Sequence, residues 1–222
     1  MTRLVRLLTV SCLAMLASCA SSEGPRAIYI IEDSGDLAFT QGRYSLAATE
    51  YSEVVERRPG KFSARVALGK ALLRAGDAEL AREHLNAASS IKPNDEGVIE
   101  LLAESMLETG DTERLTTFLR DRANNRNDPQ SWMRLGRYLA SAGDDDEAER
   151  ALHEAARLDN GFSVGPQIEL ARFYDSIGDT AGATRRYRMA LYIDPQSTSA
   201  IDALRSMGHV PGPTFALEPD ER

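Results

Sequence analysis

The chain has 222 residues, 42% of them hydrophobic, and 26 Lys and Arg against 34 Asp and Glu give a formal net charge of −8. That composition belongs to a folded chain, and it leaves no basic surplus for the counterion release that drives nucleic-acid binding. Two cysteines, Cys12 and Cys19, and three histidines, His84, His153 and His209, are too few for a structural zinc site of ordinary spacing, so neither a metal nor another cofactor is expected.

Residues 1–18 read as a signal peptide: Arg3 and Arg6 form a positive start, Leu7 to Leu16 an apolar core, and small residues precede Cys19. The apolar run is too short to span a bilayer, which takes about 20 residues. The order Leu16, Ala17, Ser18, Cys19 resembles the bacterial lipobox. The resemblance implies cleavage before Cys19 and acylation of both its sulfur and the new amino terminus. Cleavage also removes Cys12, leaving 204 residues with a formal charge of −10 and no intramolecular disulfide. Each buried acyl methylene contributes about 0.8 kcal/mol, so several chains on one cysteine make a firm membrane anchor. Ala20 follows, where enteric-type bacteria use Asp to hold lipoproteins in the inner membrane, so the resemblance places the anchor in the outer membrane, facing the periplasm. Residues 19–27 then form the acylated cysteine and a polar tether.

From residue 28 the chain repeats. Gly-Asp pairs stand at Gly76-Asp77, Gly110-Asp111, Gly143-Asp144 and Gly178-Asp179, with Gly42-Arg43 before them, at steps of 34, 34, 33 and 35 residues. Five residues past each glycine comes a small or apolar residue (Ala47, Ala81, Leu115, Ala148, Ala183), and four further on a large one (Tyr51, Leu85, Leu119, Leu152, Tyr187). A glycine that turns left-handed and an aspartate that caps the next N-terminus divide each period into two amphipathic helices of about 13 residues. Helices are predicted over residues 44–57, 62–75, 78–90, 95–109, 112–124, 129–142, 145–158, 164–177 and 180–193. Ile28, Ile30 and Ile31 are β-branched, which leaves residues 28–32 open between helix and an extended entry, with helix in the latter case from about Asp33 or Ser34. Residues 197–208 read as a capping helix ended by Gly208, and the Pro/Gly-rich stretch 209–222 as a disordered tail.

Period and pattern resemble the tetratricopeptide repeat. The fourth copy matches best, with Trp132, Leu135, Gly136, Gly143, Ala148, Leu152 and Ala155; the second is close behind, with Leu68, Gly69, Leu72, Gly76, Ala81, Leu85, Ala88 and Pro93. The third departs most: Ala103 replaces the glycine of its first helix, Leu115 the small residue of its second, and Arg122 stands where its sisters carry Val54, Ala88, Ala155 and Ala190. The stretch from Asn124 to Asp128 is expected to be an irregular loop. The resemblance covers residues 28–196 in copies 28–61, 62–95, 96–128, 129–162 and 164–197. It implies an all-α, right-handed superhelical solenoid of about five helix pairs.

No reading of the residues favours an enzyme. His153-Glu154 opens like the His-Glu-x-x-His zinc motif, but Arg157 occupies the second ligand position. The run Asp144, Asp145, Asp146, Glu147 lacks the order of a calcium loop and suits a helix N-terminus instead. No nucleophile elbow or phosphate-cradling loop is present, and no small-molecule substrate is expected.

The family resemblance implies a concave groove lined by the first helix of each repeat. Carried over position by position, that lining is Phe39; Val66, Lys70, Leu73 and Arg74; Glu100, Glu104 and Leu107; Met133 and Arg137; then Ile168, Arg172 and Asp175. Such a lining, apolar along the middle with charges of both signs beside it, suits an amphipathic helix or extended peptide. Lipobox and repeats together resemble the tight-adherence (Flp) pilus assembly lipoproteins, TadD, and the pilotins of type IV pilus secretins. That implies an outer-membrane adaptor whose protein partner is a secretin or another envelope assembly component. Barrel assembly, polysaccharide export and cell-wall machinery are the alternatives open to a lipid-anchored repeat protein.

Overall fold

The computed structural model describes residues 25–212 and 214–220. Among them are eleven α-helices and no strand: α1 (Ile28–Thr40), α2 (Tyr44–Arg57), α3 (Phe62–Ala75), α4 (Ala78–Ile91), α5 (Glu96–Glu108), α6 (Thr112–Arg126), α7 (Pro129–Ser141), α8 (Asp145–Asp159), α9 (Gly165–Ser176), α10 (Thr180–Ile193) and α11 (Thr198–Ser206). Each odd-numbered helix up to α9 packs on the even one that follows it, and successive pairs stack in chain order as a solenoid.

The turns inside the pairs are built alike. The residue after each turn glycine donates its backbone N–H back across the turn, Arg43 to Ala38 O, Asp77 to Leu72 O, Asp111 to Met106 O, Asp144 to Leu139 O and Asp179 to Tyr174 O, at 2.8 to 3.0 Å. This closure needs a left-handed residue, and Gly76 (φ +90°) supplies it where a side chain would be strained. Asp144 and Asp179 then accept the N–H of Glu147 (3.1 Å) and Gly182 (2.9 Å), capping α8 and α10.

Close approach within a pair comes from small residues. Ala47, Ala81, Ala148 and Ala183 are fully buried. A Cβ added at Gly69 would lie 2.6 Å from Leu85, and one at Gly136 2.5 Å from Leu152, so glycine lets the large residue of the second helix seat directly on the first. Burying a leucine of this kind contributes about 2 kcal/mol. Three hydrophobic clusters run along the stack, and α5 feeds two of them: Val98 and Leu102 join the N-terminal cluster, while Ile99, Ala103 and Met106 join the central one.

One open point is decided and two expectations are corrected. Helix α1 begins at Ile28, because Ile31 is completely buried and Ile28 packs beside it, which outweighs the small helical penalty of β-branching. Helix α6 continues through Asn124 and Asn125 to Arg126, and the irregular stretch shrinks to a turn at Asn127, φ +48°. The tail is not disordered among its described residues: Phe215 and Ala216 pack against the C-terminal cluster, and Leu217 N–H donates to Arg188 O at 3.1 Å. An aromatic residue with an apolar surface to cover holds a segment that its Pro/Gly content alone would leave loose.

Candidate functional site

Side chains of successive odd-numbered helices meet on one face. Lys70 Nζ of α3 sits 5.1 Å from the centroid of the Phe39 ring of α1, which also packs edge-on to Tyr44 at 5.2 Å. From α7, Arg137 approaches Glu100 of α5 at 3.4 Å, and the Tyr138 hydroxyl donates to Glu100 Oε1 at 3.1 Å. Burial and the carboxylates of Glu100 and Glu104 hold the Tyr138 phenol well above its usual range. Val66, Leu107 and Met133 are half-buried along the same row, and Arg172 is exposed, paired within its helix to Glu169 at 3.3 Å. Lys70, Arg74, Arg137 and Asp175 are exposed as well.

Two residues expected on this face are not available to a partner. Leu73 is 5% exposed and Ile168 7%. Each is taken up by the hydrophobic core, Leu73 in the N-terminal cluster and Ile168 in the C-terminal one. The face is therefore more charged and less apolar than the sequence alone implies.

Arg134 carries part of what replaces them. Its side chain is 3% exposed, and it pairs with Glu96 and with Glu100, the latter at 2.9 Å. Sequence reasoning passes over it, although a signal is present: Glu100 and Arg134 stand 34 residues apart, one repeat period, which makes them neighbours on adjacent odd helices. The two half-exposed glutamates remain solvated, so the pairs fix the junction of α5 and α7 more than they stabilise it.

A second polar cluster joins α8, α9 and α10. Tyr174 of α9 donates its hydroxyl to Glu149 Oε1 at 2.6 Å, and His153 Nε2 lies 3.1 Å from that hydroxyl. Arg186 Nη2 stands 3.3 Å from His153 Nδ1, so the ring is neutral, with Nε2 donating to Tyr174 and Nδ1 accepting from the guanidinium. Burial, then the charge of Arg186, pushes the His153 pKa below the ordinary imidazole value. Burial and Glu149 push the Tyr174 phenol up to about 12. Among the described residues no group of three or more His, Cys, Asp or Glu side chains is placed to hold a metal ion. The acidic run lies at the start of α8, where Glu147 pairs with Arg120. Cys19 and the lipobox lie outside the described residues, and no described helix is long and apolar enough to cross a membrane.

Comparison with known proteins agrees with this architecture. A thermophilic TPR protein of Thermus thermophilus superposes with a TM-score of 0.54 at 22% identity, over 81% of this chain and 98% of that one. A MamA protein gives 0.54 at 19% identity, over 84% and 98%. The fragment of MamA from residue 41 to its end from Desulfovibrio magneticus RS-1 gives 0.54 at 13% identity, over 77% and 97%. At these identities the likeness is one of fold. No curated protein matches the chain. Solenoids of this class present extended surfaces to protein partners. The family model for the tetratricopeptide repeat matches residues 33–96 and 113–161, half of the sequence, and the chain belongs to the tetratricopeptide repeat family.

Proposed function

We propose that the protein is an outer-membrane lipoprotein that captures a protein partner and thereby serves assembly of a pilus secretin. Acyl chains on Cys19 hold one end, and the odd-helix face binds a segment of the partner. No bond is made or broken. The observation that carries the reading is the pairing of accessible side chains from successive odd-numbered helices, Phe39 with Lys70 and Glu100 with Arg137, on helices that also carry the half-buried Val66, Leu107 and Met133. Partly exposed apolar groups aligned among charges suit an amphipathic segment. Residues 19–27 reach about 30 Å when fully extended, which would keep the array close to the bilayer.

Two measurements test the halves of the proposal separately. Cys19→Ser is expected to abolish acylation and release the protein to the periplasm; continued acylation defeats the anchor. Val66→Asp combined with Met133→Asp, both at half-buried sites, is expected to leave a folded array that no longer co-purifies with the secretin. Undiminished secretin recovery with that variant defeats capture by this face.

A further inference from the structure

The chain after α11 turns back over α10 and is held as a ligand is held. Arg188 Nε donates to Phe215 O at 2.8 Å, Leu217 N–H donates to Arg188 O at 3.1 Å, and the Arg188 guanidinium lies 5.0 Å from the Phe215 ring centroid. The His209 ring also packs against that of Phe215, at 5.5 Å. Five residues on, the Asp220 carboxylate pairs with Arg185. It stands at the edge of a cavity of about 730 Å³ whose walls include Glu149, His153, Tyr174 and Arg186. Hydrogen bonds to the peptide backbone, a seated aromatic ring and a paired carboxylate are contacts by which a folded domain holds a short peptide.

We propose that α10, with Arg185 and Arg188, is a peptide-binding site occupied in the resting protein by residues 214–220. Its exchangeable ligand is a short segment with an aromatic side chain and, five residues later, a carboxylate. The site lies on the even-helix side of the last repeat and is independent of the odd-helix face. Occupancy by the chain's own tail supplies the ligand chemistry directly: the aromatic ring covers apolar surface of the C-terminal cluster, and the carboxylate answers the arginine. An intramolecular ligand also sets a threshold, because any segment in trans competes with a tail at high effective concentration.

The probe is a fluorescent synthetic peptide of residues 214–220, titrated against the full chain. Releasing the tail with Phe215→Ala plus Asp220→Ala is expected to raise peptide affinity at least tenfold over the unaltered chain. Adding Arg185→Glu and Arg188→Glu in that background is expected to remove the binding. Equal affinity before and after release, in protein of unchanged helical circular dichroism, overturns the proposal, as does binding indifferent to the arginine changes. The unaltered chain gives an independent reading: millimolar peptide is expected to speed hydrogen exchange in residues 214–220, and unchanged exchange refutes displacement.

Discussion

The fourth helix pair, α7 with α8, closes tightly, whereas the third, α5 with α6, is the most loosely packed pair in the stack. In the tight pair Gly136 receives Leu152 against bare backbone, Ala148 is fully buried at the crossing, and Ala155 is fully buried beyond it. In the loose pair the same places hold Ala103, Leu115 and Arg122. Ala103 carries a methyl where Gly136 has none, and Arg122 reaches Pro93 O at 2.8 Å while its Nε stays buried without a hydrogen-bond partner. Leu115 and Leu119 are as buried as their counterparts, so the third pair does not lack apolar residues. It lacks the small ones that let two backbones approach.

Truncating the plug of the tight pair is the strongest way to break this contrast. Leu152→Ala is expected to cost about 4 kcal/mol in denaturant unfolding, because its rigid surroundings preserve the cavity, while Leu119→Ala costs about 2 kcal/mol where α6 can settle inward. Equal losses would mean that the looseness has no energetic content. Gly136→Ala comes next: its new methyl collides with Leu152, and overpacking of this kind costs about 1–3 kcal/mol, whereas Ala103→Gly in the third pair costs only about 0.5–1 kcal/mol in helix propensity. Without any substitution, native-state hydrogen exchange is expected to show α6 amides opening about tenfold more readily than those of α8, and matched protection would contradict the packing difference.

The smallest effect is pH dependent. Burial and Arg186 lower the pKa of folded His153 below its unfolded value. The unfolded chain therefore takes up its proton first as pH falls. Stability is flat above neutrality and declines below the ordinary imidazole range until the folded ring itself titrates. His84, lowered by burial and then by Arg65, acts in the same direction from the second copy. His153→Gln is expected to flatten part of the decline in melting temperature between about pH 7 and pH 5. An unchanged slope would remove His153 from the account.

Helix boundaries are legible in the sequence because the turn glycines are obligatory: Gly76, Gly110, Gly143 and Gly178 all adopt positive φ, and nearly every helix ends within two residues of its expected limit. The weakness of the third copy is legible for the same reason, since Leu115 and Arg122 break a lattice the other copies keep. What escapes depends on neighbours across the stack. Leu73 and Ile168 resemble groove residues because a single repeat does not reveal which of its apolar residues the stacked core takes up. Arg134 and Arg186 resemble ordinary surface charges because their burial is set by partners about one period away, Glu100 and His153. The docked tail escapes because Phe215 acts against a surface created only when α10 and α11 meet.

Helix α5 shares its residues between two hydrophobic clusters while gripping its own partner weakly. A stack fastened at one end and loaded at the other carries the same tension at every joint and yields first at its poorest, so extension of this array should concentrate between α5 and α6. The expected response is a spring with a soft middle turn. Extension would be absorbed at the centre before either outer block lets go, and optical-tweezer traces that open the molecule from an end would exclude it.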